Sequence, residues 1–405
     1  MKPAGIFVFA LTYLLISARK LPWLGFDRPA ATLLGAVLAV GLGVLSPRGA
    51  LEAIDGPTIV LLFGVMGMGA FLGFDGVLED LEASLARAAG TPARLLGYLM
   101  WAAGGLSALV TNDAVCVLAT PLVVQLVRRH RLPPLPFLLG LATAANTGSV
   151  ATLVGNPQNM LCANLAQLSY REHLSLLGPV AVVGLAMNHG LVHLLFRREL
   201  RASSLVSTTP RAFSRRAWLP IAVNLGVAAA CLMGANLAWA AVGGFVTLML
   251  IYRRDTSALW GRIDWSLLLF FAGLFVVVAA LVQSGLPATF FARFPLVQEQ
   301  GGLAANLRLS AIFLFGSNVV SNVPFIVLIS SEMNKLSEPR LAWEMLAMAS
   351  TFAGNLTLVG SVANLIVAEG ARELGGIGFW AYLRVGLPVA LGTTLLGTLW
   401  LSWRF

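Results

Sequence analysis

The chain has 405 residues, 58% hydrophobic and 11% charged, with 27 basic against 18 acidic side chains for a net charge of +9. A soluble domain carries about a quarter charged residues, which excludes a soluble globular protein here. The basic residues sit in short clusters between apolar runs, which argues against a nucleic-acid partner. With a mean hydropathy of +0.83 and many runs near the ~20 residues that cross a ~30 Å hydrocarbon core, the pattern predicts an all-α polytopic membrane protein.

In chain order, the first apolar run covers about 4–18 behind Lys2. A secretory signal begins the same way, but the second half of the chain carries an equivalent run, so a retained span is expected. Further spans are predicted at about 29–46, 57–77, 133–168 and 173–196, with an extra apolar pair at 93–127 that turns around Thr111, Asn112 and Asp113. Spans at about 217–234, 237–252, 263–286, 341–372 and 378–402 repeat the pattern, with a second extra pair at 303–334 turning around Ser321 and Asn322. The cysteines Cys116, Cys162 and Cys231 have no paired or metal-ligand spacing and read as packing residues.

Landmarks support a duplication. Ile54, Asp55 and Gly64 recur as Ile263, Asp264 and Gly273 at an offset of 209. Asn112, Val117 and Leu118 recur as Asn322, Val327 and Leu328 at 210. Thr152, Leu153, Val154, Gly155 and Asn159 recur as Thr357, Leu358, Val359, Gly360 and Asn364 at 205. Five spans per unit is an odd number, so the second unit enters the membrane upside down. The expected organisation is two inverted repeats, 1–196 and 217–405, each of five transmembrane spans plus a re-entrant helical hairpin (93–127, 303–334) and an unwound helix (133–168, 341–372). A linker at 197–216 joins them. Placing its Arg197, Arg198, Arg201, Arg211, Arg215 and Arg216 in the cytoplasm puts most of the 27 basic residues there, including Arg19, Lys20 and Arg254, and leaves both termini outside.

The runs at 145–161 and 354–366 interrupt themselves with Gly, Asn, Ser and Pro. Hydrocarbon offers no hydrogen-bond partner, so backbone leaves helical form at membrane depth only beside protein or a water-filled cavity. Gly148 and Gly155 relax the first break and Pro157 disfavours helix at Asn156; Gly354, Asn355, Gly360 and Ser361 do the same in the second. Each break leaves a helix N-terminus, carrying partial positive charge, in mid-membrane. Thr111–Asn112 and Ser321–Asn322 are strong caps for the helices that follow the hairpin turns, and Pro324 suits a first helical turn.

Asp113 is the one acidic residue at a predicted mid-membrane tip, with Val323 in the equivalent place. It reads as a proton carrier or Na⁺ ligand, or as an N-cap carboxylate. His189 and His193 have metal-like spacing but no evident third ligand, so no transition metal is expected. Glu369 reads as a solvated end charge, and Asp55 and Asp264 as caps. An intramembrane enzyme would need a nucleophile–base pair or metal cluster; the sequence places neither a histidine nor paired carboxylates near the breaks, so no enzyme is expected.

The segments TNDAV, GNPQN, SNVPF and GSVANLI resemble the hairpin-tip and unwound-helix motifs of the ion transporter superfamily, which includes divalent anion/sodium symporters, citrate transporters and arsenite permeases. The resemblance implies substrate contacts from Thr111, Asn112, Asp113, Asn156, Pro157, Asn159, Ser321, Asn322, Ser361 and Asn364. It implies cation sites drawn from Asn112, Asp113, Asn146, Gly148, Thr152, Gly155, Asn322, Asn355, Thr357 and Gly360. It also implies a homodimer and an elevator motion. Asp113 and Val323 depart from the Ser-Asn-Thr tips of dicarboxylate members, and the Asn-Asp pair is closer to arsenite permeases. The expected function is secondary active transport of a small anion or oxyanion across a bacterial inner membrane, coupled to Na⁺ or H⁺ and without other cofactors. An arsenite/antimonite efflux permease and a Na⁺/H⁺ antiporter are the alternatives.

Overall fold

The computed structural model describes residues 3–17, 27–72, 87–205, 218–253, 255–296 and 302–405. Arg19, Lys20, Arg254 and most of the expected linker, with Arg211, Arg215 and Arg216, lie outside the described residues. Among the described residues every regular element is helical.

The first half contains α1 (Pro3–Ser17), α2 (Arg28–Gly41), α3 (Pro47–Glu52), α4 (Gly56–Leu72), α5 (Pro92–Ser107), α6 (Asn112–His130), α7 (Pro134–Ser149), α8 (Pro157–Ala166) and α9 (Tyr170–Ala202). The second contains α10 (Trp218–Leu232), α11 (Leu237–Tyr252), α12 (Ser257–Trp260), α13 (Trp265–Gln283), α14 (Leu286–Arg293), α15 (Leu303–Val320), α16 (Asn322–Met333), α17 (Pro339–Leu356), α18 (Val362–Gly370) and α19 (Phe379–Arg404). Local chemistry sets many of the starts. Asp27, Ser46, Thr91 and Asn156 accept hydrogen bonds from first-turn amides of α2, α3, α5 and α8, each followed by a proline in the first turn. The expected spans at 133–168 and 341–372 each appear as two helices, α7 with α8 and α17 with α18.

Helices α9, α13 and α19 are long and apolar enough to cross a membrane, and α2, α4, α10 and α11 are shorter apolar helices. Together with the composition, this makes the chain an integral membrane protein.

The centre is formed by α7 and α17. Almost every residue of Pro136–Ser149 and of Leu341–Leu356 is buried, because α5 and α9 cover the one and α15 and α19 the other. A helix buried on all sides has no polar face, yet these two carry Thr143, Asn146, Thr147, Ser149, Ser350, Thr351 and Asn355 in the interior. Those residues build the site described below.

At the periphery, α2 packs on α13 and α4 on α11, so each contact joins the two halves. Glycine makes both approaches possible. A Cβ at Gly64 would lie 2.7 Å from the Ala241 carbonyl carbon and the Val242 nitrogen, and one at Gly273 2.8 Å from the Thr32 carbonyl carbon. These backbone atoms cannot rotate away. Gly64→Val and Gly273→Val should therefore each cost about 1–3 kcal/mol from overpacking, read as a lower thermal unfolding midpoint in detergent. Gly226→Ala, in α10 where a Cβ meets nothing within 4 Å, should leave the midpoint unchanged or raise it slightly.

Candidate functional site

The two breaks hold each other. In the first, Asn156 is extended (φ −159°) and caps α8, its Oδ1 accepting from the Asn159 amide at 2.8 Å. Its Nδ2 donates to Ser149 Oγ (2.9 Å) and to Thr351 Oγ1 of α17 (3.1 Å). Asn159 Nδ2 donates to the carbonyls of Thr152 (2.9 Å) and Ser149 (3.3 Å), and Asn159 Oδ1 accepts from Thr351 Oγ1 (3.0 Å).

The second break repeats this arrangement 205 residues later, with the roles exchanged. Asn364 Nδ2 donates to the carbonyls of Gly354 (2.7 Å) and Thr357 (3.2 Å). Asn364 Oδ1 accepts from Asn146 of α7 (2.9 Å), and Ser361 Oγ donates to Asn146 Oδ1 (3.2 Å). Asn146 thus stands to the second break as Thr351 stands to the first. It also donates to Asn355 Oδ1 (3.0 Å) and accepts from Asn112 Nδ2 (2.8 Å), so one buried amide ties a helix-pair tip to both halves.

The tips dock on the breaks. The Asn112 amide donates to the Gly155 carbonyl (2.9 Å), and Asn322 Nδ2 to the Gly360 carbonyl (3.2 Å). Thr152 Oγ1 donates to the Ala108 carbonyl (2.6 Å), while Thr357 meets Asn318 of α15 (3.3 Å). Gly148 permits direct backbone contact with α5, since its Cβ would lie 2.4 Å from Gly104 Cα. Thr111 Oγ1 accepts from the Ala114 amide (3.3 Å). Ser321 sits at φ +77°, ψ 145° and makes no side-chain cap; such a non-glycine conformation costs of order 1–3 kcal/mol and collects at functional sites.

A cavity of about 200 Å³ opens between the tips and the breaks. It is large enough for several waters or one small solute. Its wall includes the first residues of four helices: Asn112 and Asp113 of α6, Pro157 and Gln158 of α8, Asn322 and Val323 of α16, and Ser361 and Val362 at the start of α18. Four N-terminal dipole ends make a positive environment. Against it stand two carboxylates, Asp113 and Asp264, which also line an adjoining cavity of about 510 Å³ together with Thr111 and Arg262. No basic residue lines the smaller cavity among the described residues.

Most buried polar atoms are paired; the exceptions in the described structure include Asn224 Oδ1, Tyr382 Oη and Thr394 Oγ1, and four more that form a pattern. Asn112 Oδ1, Asn322 Oδ1, Ser107 Oγ and Ser317 Oγ are buried without a hydrogen-bond partner in the described structure. They are two pairs at an offset of 210. A buried polar oxygen left unpaired costs about 1–3 kcal/mol, so the same two orphans in each half are candidate positions for a ligand or water that supplies the partner.

The sequence-predicted residues divide into two groups. Thr111, Asn112, Asp113, Pro157, Ser321, Asn322, Gly360 and Ser361 line the cavities. Asn156, Asn159 and Asn364, expected as substrate contacts, are fully buried and do not line them; their amides are consumed by backbone carbonyls and capping. Asn146, Gly148, Thr152, Gly155, Asn355 and Thr357 lie in the network behind the wall. Glu369 pairs with Arg372 at the exposed end of α18 (2.6 Å). His189 and His193 pack ring against ring (6.3 Å between centroids), and no cluster of three metal-ligating side chains occurs among the described residues. Asp55 caps α4 as expected (2.7 Å to the Thr58 amide), and Asp264 caps α13 (3.0 Å to the Leu267 amide), but Asp264 also faces the cavity.

Sequence reasoning missed Ser107, Ser317, Thr351, Asn318 and Asp264. The offset of 210 that relates Asn112 to Asn322 also relates Ser107 to Ser317, so that pair was within reach. The expectation that no histidine lies near a break is corrected. His173, 23 residues from Val150 in sequence, meets its carbonyl through Nε2 at 3.1 Å and Glu344 Oε2 through Nδ1 at 2.7 Å.

Replacing Asn146 by Leu strips partners from Asn112, Asn355, Asn364 and Ser361, whereas Thr351→Val strips them from Asn156 and Asn159. At about 1–3 kcal/mol per orphaned buried group, Asn146→Leu should lower the unfolding midpoint in detergent more than Thr351→Val does.

A family model described as citrate transporter matches residues 13–353. Silicon efflux transporter LSI3 of Oryza sativa subsp. japonica is 30% identical, covering 97% of this chain and 96% of its own length. The 46 kDa membrane protein of Mycobacterium leprae is 29% identical over 100% of this chain and 99% of its own, and putative transporter arsB of Dictyostelium discoideum 24% over 97% and 90%. Among solved structures, the YdaH transporter of Alcanivorax borkumensis has a similar fold, with a TM-score of 0.54 at 17% identity, covering 99% of this chain and 97% of that one. The broken helices and polar cavity thus occur in a chain that is a transporter and not an enzyme, and that belongs to the citrate transporter family.

Proposed function

We propose that the chain is a secondary active transporter for a small oxyanion or its protonated oxyacid, coupled to Na⁺ or H⁺. The observation that carries this reading is the 200 Å³ cavity on which four helix N-termini, two unpaired amide oxygens and two carboxylates converge. The dipole ends favour a solute's negative oxygens. The unpaired acceptors Asn112 Oδ1 and Asn322 Oδ1 favour its hydroxyl donors. A weak oxyacid offers both. A di- or tricarboxylate offers no hydroxyl for each acceptor and would face Asp113 and Asp264 with no basic residue among the described lining. The relatives named as a silicon efflux transporter and as arsB support a small oxyacid. Thiol chemistry toward arsenic is disfavoured, since Cys116 and Cys162 are fully buried and off the cavity.

Cation coupling follows from charge. Asp113 and Asp264 oppose an anionic solute until Na⁺ or H⁺ compensates them, so cation and solute favour the same loaded state. The remaining orphan oxygens, Ser107 Oγ and Ser317 Oγ, are candidate ligands for a hard cation, which takes oxygen ligands. In this reading 1–196 and 217–405 are inverted repeats with 197–216 as cytoplasmic linker, and both termini lie outside a bacterial inner membrane. Two copies form a dimer, and the tips and broken helices slide as an elevator against a scaffold of the other spans. The exchange of Asn146 and Thr351 between the breaks supports a two-fold relation of the units.

The test is flux in proteoliposomes with silicic acid, arsenite, antimonite, phosphate and citrate under separately imposed Na⁺ and pH gradients. One or more of the oxyacids or their anions should move in response to one gradient, and citrate should not. Cation-driven proton flux with no oxyacid movement would favour Na⁺/H⁺ antiport instead. Asp113→Asn should abolish the gradient dependence while changing the unfolding free energy by no more than about 1 kcal/mol, the centre of ordinary point-mutant effects; an unaltered Na⁺ and pH response in that variant would refute a coupling role for Asp113.

A further inference from the structure

His173 of α9 and Glu344 of α17 form a pair that is 0% and 1% exposed, and the transport reading does not use it. The partners fix its proton inventory. A backbone carbonyl only accepts, so Nε2, facing the Val150 carbonyl at 3.1 Å, must carry a proton. The 2.7 Å contact of Nδ1 with Glu344 Oε2 then requires one more, on nitrogen or on oxygen. In either placement the pair is neutral overall and forms one directed chain, Glu344 to His173 to Val150. Val150 is the residue at which α7 ends and the first break begins.

The duplicated framework does not demand this chain. Pro179 and Pro388 relate α9 to α19 at an offset of 209, which places Tyr382 where the first half has His173. The position equivalent to Glu344, 205 residues earlier, is Leu139. The first break is also the one whose tip carries Asp113. A buried ion pair is a poor source of stability, since apolar replacement of both partners is often neutral or stabilising. A role other than stability is therefore indicated.

We infer that His173 and Glu344 are positioning residues that hold the Val150 carbonyl and so fix the first break, onto whose Gly155 carbonyl the Asn112 tip docks. The inference rests on reading that break as part of the transport site. When the chain is cut, the Val150 carbonyl loses its partner, residues 151–156 open more often, and the Asn112 amide loses its fixed acceptor.

The test is hydrogen–deuterium exchange on the full chain in lipid nanodiscs, read at 108–116 and 150–161 against α13 and α19, beside oxyacid flux. The double variant His173→Leu, Glu344→Leu leaves no unpaired buried charge and orphans only the Val150 carbonyl, so it should fold with at most a small drop in its unfolding midpoint. Exchange at 108–116 and 150–161 should nonetheless rise by about tenfold, with α13 and α19 unchanged. The double variant His173→Gln, Glu344→Gln keeps a donor toward Val150 and should restore wild-type exchange at the break. Exchange unchanged in the leucine variant, or raised uniformly along the chain, would overturn the inference. Wild-type chain that moves no oxyacid would overturn the transport reading and leave the exchange result standing, so the two failures are distinguishable.

Discussion

A helix interrupted inside hydrocarbon must find every freed hydrogen bond within the protein, and this requirement organises the molecule. Each break frees carbonyls at the end of one half-helix and amides at the start of the next. Asn159 and Asn364 cover the carbonyls, and Asn156 covers an amide of α8. Each unit then borrows from the other, through Thr351 for the first break and Asn146 for the second. Neither break is complete without the opposite half. Almost all amides are spent on this framework, and among the oxygens left unpaired those of Asn112, Asn322, Ser107 and Ser317 recur at the same places in both halves.

Electrostatics set the character of the cavity. A helix N-terminus acts as roughly half a positive charge, so four of them about equal the charge that two carboxylates carry when both are deprotonated. A site balanced in this way changes sign with one proton or one sodium ion. That is the property a coupled carrier needs, since a permanently cationic pocket, such as a buried arginine would make, binds an anion and releases it slowly. The adjoining cavity, lined by the same Asp113 and Asp264, extends this balance beyond the pocket itself.

The two halves share a framework and differ where chemistry is done. Gly64 and Gly273 serve the same close approach of helices, and both tips dock on the equivalent carbonyl, Asn112 on Gly155 through its backbone N–H and Asn322 on Gly360 through its side-chain Nδ2. Asp113 is matched by Val323, His173 by Tyr382, and the Ala108 carbonyl by the Asn318 side chain. Duplication accounts for the matched residues through packing and backbone satisfaction. The unmatched ones are not needed for those purposes; Asp113 and His173 stand at the first break and its tip, and Asn318 at the second.

Much of the fold was legible in the sequence because membrane insertion is a local, compositional constraint. Apolar runs placed the helices to within a few residues, and Gly, Pro and Asn placed both breaks, since those residues act on their own backbone. Repeated offsets pointed to a duplication without any coordinates. The site was legible only in part. Asn112 and Asn322 were found because tips and breaks are sequence features, but whether an asparagine faces a cavity or a neighbour's carbonyl is decided by which helix packs beside it. Asn159 and Asn364 were therefore read as contacts although they serve as internal struts, and Asp264 was read as a cap although it also faces the solute cavity. The pairing of His173 with Glu344, 171 residues away, has no local signature, because it exists only once α9 and α17 are packed against the end of α7.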